Sequence, residues 1–175
     1  MPRGRAEAEG ADFAKETVRV GAVVLAAGWR PENPTHHENL GYGKFPDVVT
    51  NVQLEELAAK GKITRPSDGK EVNSIAFVEC IGEKGAHPLQ YAASVSSLVA
   101  LKQAQYLRKT NPDGKAYIFY ENMRTPGQWE KFYRTMQDDP GVFLSKGTPV
   151  SITDGTGALS VEMKDTLLGE RLKVN

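Results

Sequence analysis

Residues 74–108 read SIAFVECIGEKGAHPLQYAASVSSLVALKQAQYLR, and this stretch decides the fold. Ile75, Ala76, Phe77 and Val78 are apolar without alternation, which predicts a short strand covered on both faces, as in a parallel sheet. Cys80 and Gly82 follow at the strand's end, in a loop that continues through Gly85, Ala86, His87 and Pro88. A helix is expected from near Leu89 to about Lys109, with Val95, Leu98, Val99, Leu101 and Ala104 as its apolar face. Asn111-Pro112-Asp113-Gly114 ends it. Strand, glycine loop and helix in that order make a βα unit, whose ligands lie beyond the carboxyl ends of the strands. A dinucleotide site there would use Gly-x-Gly-x-x-Gly so that backbone can approach a pyrophosphate. Gly82 and Gly85 alone do not make that fingerprint, and no working NAD site is expected.

Downstream, residues 116–120 read as a second strand ended by Glu121, an acid that binds a ribose hydroxyl in complete nucleotide folds but more often caps or is solvated. Arg124 follows; an arginine in this region holds a phosphate in some nicotinamide-binding folds, and here it fits a surface ion pair equally well. Trp129, Phe132, Tyr133 and Met136 recur at helical spacing within 128–137 and predict an aromatic core stripe. Residues 142–144 read as a third strand, and 150–152, 159–163 and 171–174 as short strands of a meander with glycine turns between them. Upstream, Thr50-Asn51-Val52-Gln53 spells a capping box for a short helix through Leu54, Leu57 and Ala58, closed by Gly61. Residues 30–47 form a loop anchored by Tyr42 and Phe45. His36 and His37 lie in it without a ligand-spaced partner. Residues 18–26 carry Val20, Val23, Val24 and Leu25 and read as another strand.

The 175 residues contain 22 basic and 22 acidic side chains, so the formal charge is zero at pH 7. That argues against a nucleic-acid binder, which usually shows a basic surface. The one cysteine, Cys80, cannot form an internal disulfide or hold a metal by itself, and it suits a reducing cytoplasm. By itself Cys80 reads as a small buried hydrophobe. No apolar run reaches the ~20 residues that span a bilayer. No acid–base pair or nucleophile constellation is present, so no catalytic residue is expected. Residues 1–16 are small and charged and read as a flexible leader.

The segments VGAVVLAAGWRP, LGYGKFPDVVTNVQLEEL, GKITRPSDGKE, IAFVECIGEKG and LQYAASVSSLVALKQAQYLRKTNPDGKAYIFYENMRT occur in order and at similar spacing in a known family. From Val18 to the C-terminus the chain resembles the flavoprotein A subunit of heterodisulfide reductases. It is also similar to the A and B subunits of the quinone-interacting membrane-bound oxidoreductase, closest to the first of these. The resemblance implies an α/β, Rossmann-like three-layer domain with a mostly parallel sheet and a small antiparallel meander. This is the NAD-type domain of thioredoxin-reductase-like flavoproteins, in the pyridine nucleotide-disulfide oxidoreductase superfamily. It further implies that 17–73 supply a strand, loop and short helix at the edge of an FAD domain, and that 74–175 form a degenerate NAD-type domain.

The family's FAD-domain strand ends in Ala-Thr-Gly, which falls here on Ala26, Ala27 and Gly28. Those three, with Cys80 and Gly82, are the residues the resemblance places near a cofactor. The reductase's flavoprotein carries a [4Fe–4S] cluster whose four cysteines map onto Cys80, Ala92, Ser96 and Ser97. Alanine cannot ligate iron and serine is a hard, poor substitute, so no cluster and no other metal is expected. The implied function is that of a fragment of an FAD-dependent oxidoreductase subunit that works in multi-subunit electron transfer. FAD would belong to the full-length parent, with none held tightly by the fragment. The alternative is a non-catalytic docking module that mediates the assembly of subunits. An independent nicotinamide-dependent dehydrogenase would need the missing fingerprint and a proton-transfer residue. Expected partners are the other subunits of an electron-transfer complex. The expected location is cytoplasmic, peripheral to the inner membrane only through such a complex.

Overall fold

The structure, a computed structural model, describes residues 17–26, 28, 31, 33–79, 92–155 and 157–174, with only the backbone of His36 and Glu38. The chain divides into two units, Met1–Pro31 and Glu32–Asn175. In the first, residues 18–26 do not form the expected strand. A strand needs a neighbour to take its backbone hydrogen bonds, and this segment pairs with no other among the described residues. Its apolar side chains face solvent, Val24 and Leu25 being 88% and 89% exposed.

The second unit is built on one five-stranded sheet in the order β1-β2-β3-β4-β5. β1 (Ser74–Val78), β2 (Lys115–Tyr120) and the first half of β3 (Val142–Asp154) are parallel. The second half of β3 then runs antiparallel to β4 (Leu159–Asp165), and β4 to β5 (Arg171–Val174). Three α-helices occur among its described residues: α1 (Asn51–Ala58), α2 (Ala92–Thr110) and α3 (Trp129–Gln137).

The predicted capping box starts α1. The Gln53 amide donates to Thr50 Oγ1 at 3.2 Å, and the Thr50 amide donates to Gln53 Oε1 at 2.8 Å. Leu54 of α1 joins Phe77, Leu101, Leu107, Ile118, Met136 and Val142 in the main core. Strand residues alternate between two environments. Ile75, Phe77, Ala116, Ile118, Val142 and Leu144 belong to this helix-side core. Ala76, Val78, Tyr117 and Phe119 pack instead with Val161, Met163, Leu172 and Val174 of the meander. β1 and β2 are therefore covered on both faces, which is why their sequences lack hydrophobic alternation, while Phe143 of β3 is 40% exposed. The architecture is the expected Rossmann-like α/β one.

Three local expectations are corrected. Residues 142–144 and 150–152 are parts of one strand, not two, and a register shift between Pro149 and Ser151 absorbs the proline. On α2 the buried face is Ala93, Ser97, Ala100, Leu101, Ala104 and Leu107, while Val95 is 39% exposed. The aromatic stripe of α3 buries Met136 and packs Phe132 and Tyr133 on the core, but Trp129 at the helix start is 55% exposed. Trp129 is the first residue of the helix, where Gln128 makes no side-chain cap, and the core contact is made further along.

Candidate functional site

In an open parallel sheet the place to search is the carboxyl edge. Here β1 ends at Val78, and Glu79 follows it, buried to 6% exposure. The Glu79 amide donates to the Phe119 carbonyl at 2.9 Å, holding it against β2. Its carboxylate accepts a 2.8 Å hydrogen bond from Ser97 Oγ. Ser97 is fully buried on the core face of α2. Its hydroxyl also accepts from the Arg124 amide at 3.2 Å. One serine thus joins the end of β1, the second turn of α2 and the segment that leaves β2. A buried carboxylate is tolerated only where hydrogen bonds replace the water it loses, and Ser97 supplies one of them.

The neighbourhood is phenolic as well as acidic. Burial pushes the Tyr120 phenol up, and Tyr133, Glu79 and Asp165 add to it by their charge or polarity. Burial also raises the Tyr133 phenol. Gln137 Nε2 donates to Tyr133 Oη at 3.0 Å. Both phenols are hydrogen-bonding groups near neutral pH, not bases. Asp165 is committed to its own turn, accepting from the amides of Leu167 and Leu168 at 2.8 Å each.

Of the residues proposed near a cofactor, Ala26 and Gly28 lie in the first unit and are exposed. Gly28 takes the left-handed region at φ 73°. A Cβ built on it would meet no atom within 4 Å. Ala27, Cys80 and Gly82 lie outside the described residues. Glu121 closes β2 as expected, and Arg124 enters the edge through its amide, its side chain being exposed. A separate cleft of about 440 Å³, lined by Tyr42, Lys44, Phe45, Gln53, Glu56 and Lys60 among others, shares no residue with this edge. No group of three or more metal-ligating side chains occurs among the described residues. No helix among them is long and apolar enough to cross a membrane.

Glu79 and Ser97 were not singled out as a pair by the sequence. The signal was there in the phase of α2: Ser97 follows Ala93 by four and precedes Ala100, Leu101 and Ala104. It therefore lies on the buried face, where a hydroxyl needs a partner.

No protein-family model matches the chain. Curated relatives do. The iron-sulfur A 2 subunit of the CoB–CoM heterodisulfide reductase of Methanopyrus kandleri is 34% identical over 94% of this chain and 27% of its own length. The A subunit of the H(2)/formate:CoB-CoM heterodisulfide,ferredoxin reductase of Methanococcus maripaludis is 32% identical over 90% of this chain and 25% of its own. The iron-sulfur A subunit of the CoB–CoM heterodisulfide reductase of Methanocaldococcus jannaschii is likewise 32% identical over 90% and 25%. The chain is a homologue of the heterodisulfide reductase A subunit. It spans about a quarter of the length of the curated relatives it matches.

The words "iron-sulfur" describe the first and third of those relatives. Iron–sulfur clusters are held chiefly by several cysteine thiolates, and this homologue of the reductase's A subunit contains one cysteine. At the positions that the family resemblance assigns to the other ligands, Ala92 offers no donor atom. The Ser97 hydroxyl is already committed to Glu79 and Arg124. The residues present do not fit a cluster at this edge.

Proposed function

We propose that this chain is part of a flavin-dependent electron-transfer protein of the heterodisulfide reductase type, nearest in character to the A subunit of the quinone-interacting membrane-bound oxidoreductase. The observation that carries the reading is homology over nine-tenths of the chain to the reductase's A subunit, combined with a single cysteine. A relative that keeps the fold but not the thiolates must take its redox chemistry from another group. In this reading FAD is that group, seated mostly on parts of the parent beyond these residues, and the chain positions and screens it. Residues 17–73 would complete the edge of the FAD domain and 74–175 would form the NAD-type domain. Ala26, Ala27, Gly28, Cys80 and Gly82 would approach the cofactor through backbone or small side chains. The partners would be the other subunits of a complex, with any membrane contact made through them from the cytoplasmic side. The test is the visible spectrum of the purified full-length parent. Retained flavin, at about one per chain, is the expected result, and a colourless, stably folded parent overturns the reading.

A second reading, a docking module for the assembly of subunits, is favoured by the edge itself. Glu79, Ser97 and the Arg124 amide are bonded to one another at the place where a nucleotide would bind. Titration of the chain with NADH, and separately with the other subunits, distinguishes the two. Saturable NADH binding overturns the docking reading, and saturable binding of another subunit without NADH binding supports it.

A further inference from the structure

The Arg124 amide is held by a hydroxyl whose own direction is set by another residue. Ser97 Oγ has one proton. It donates that proton to Glu79 Oε2 at 2.8 Å and accepts from the Arg124 amide at 3.2 Å. Glu79 is fixed from the main-chain side by its bond to Phe119. Around Arg124, the same segment is anchored by Met123 in the core and by Thr125 Oγ1, which donates to Glu130 Oε2 at 3.2 Å. We propose that Glu79 is a positioning residue that acts through Ser97 on the segment following β2. It orients the hydroxyl so that the carboxyl ends of β1 and β2 are held in one arrangement.

The inference stands on buried geometry and is independent of whether the parent carries flavin. Two facts give it weight. First, both side chains are almost wholly removed from water, Ser97 at 0% and Glu79 at 6% exposure, so no solvent molecule can take over the orienting role cheaply. Second, the three groups are far apart in sequence, 18 residues between Glu79 and Ser97 and 27 between Ser97 and Arg124. Their meeting is therefore a property of the tertiary structure and not of a local turn. The strands they join are neighbours whose ends frame the place where open α/β sheets receive ligands or partners.

The test is amide hydrogen exchange, residue by residue, on the whole 175-residue chain, with the Ile118 amide at the centre of β2 as internal control. Ser97→Ala removes the acceptor and should speed exchange at Arg124 at least tenfold while leaving Ile118 unchanged. Glu79→Ala leaves the Ser97 acceptor of the Arg124 amide in place, yet it should speed that same amide by a comparable factor, because the freed hydroxyl can turn away. Glu79→Gln keeps an acceptor oxygen and should restore slow exchange to within about threefold of the parent. A packing role for Glu79 would loosen Ile118 together with Arg124 in the alanine variant, so an unchanged Ile118 amide is what separates the two roles. The proposal is overturned if Arg124 exchanges at the parental rate in Glu79→Ala, or if the glutamine variant exchanges as fast as the alanine one. Should Glu79→Ala lose protection at Ile118 as well, the decision passes to Ser97→Ala and Glu79→Gln. An unchanged Arg124 amide in the first, or a fast one in the second, is then the refuting result.

Discussion

Gly147 shows how one side chain, or its lack, sets a fold. It is the first residue of β3 to pair with β4, directly after Lys146 has paired with β2. A Cβ at this position would run into the Lys164 carbonyl oxygen and the Met163 methyl group. One of those obstacles is backbone, and the other belongs to a fully buried side chain. Neither can yield without moving the meander. Gly147→Ala is therefore expected to destabilise the chain by about 1–3 kcal/mol, the usual cost of overpacking. Equilibrium urea unfolding checks it: an unchanged midpoint would show that the meander yields freely. Arg108 is a second such residue. Its guanidinium donates to Asp139 at 2.8 Å and to the carbonyls of Gly114, at 2.6 Å, and Pro112. It thereby ties the end of α2 to the turns that precede β2 and β3.

At the scale of elements, α1 and α2 are clasped by Glu55. Its carboxylate takes Lys102 at 2.9 Å, Gln103 Nε2 at 2.9 Å and Tyr106 Oη at 3.3 Å. Partial burial works to raise the Glu55 pKa, but these donors together outweigh it and hold the group below its ordinary 4.5. A carboxylate with a lowered folded pKa stabilises the fold above its unfolded value and loses that contribution as the pH falls through the folded one. Glu55→Gln should therefore cost on the order of 1 kcal/mol or less at neutral pH, since the site is partly solvated. The gap from the parent should close as the pH drops below about 4.5. Urea midpoints measured across that range decide it, and a gap that stays constant to about pH 3 would count against the clasp.

The elements were mostly legible from the sequence because their signals are local. Thr50 to Gln53 spells a capping box, and 75–78 and 116–120 spell strands covered on both faces. Where reading failed, the deciding information was not local. Lys146-Gly147-Thr148-Pro149 looks like a break between strands. In the structure it is where β3 changes partner, and its glycine is needed for close approach to β4. Val20 to Leu25 has a strand's composition but no neighbour to pair with among the described residues. The acid after β1 gave no sign of burial until Ser97 was seen in phase with the α2 core.

For the molecule as a whole, the two units differ in how they are held. The second has a continuous core reaching from Leu54 to Val142, while the described apolar side chains of 18–25 in the first are exposed. Removing residues 1–31 should leave the urea midpoint of the remainder within error of the parent. A large fall would mean that those residues contribute to the core. Exposed Val18, Val20, Val23, Val24 and Leu25 also make an apolar stretch of strand-like composition that favours self-association. Light scattering should accordingly show less self-association in the shortened chain.

β3 carries a consequence for how the chain comes to be folded. Its second half pairs with β4 through a turn of a few residues, while its first half lies against β2, and β2 in turn must bring Lys115 to Ser74 across the whole of α2. Contacts near in sequence close fast and distant ones slowly. The hairpins should zip up first and present β3 as a ready-made template. The late, rate-limiting event is then the arrival of β2 and β1 along it, with α2 as the loop that has to be closed.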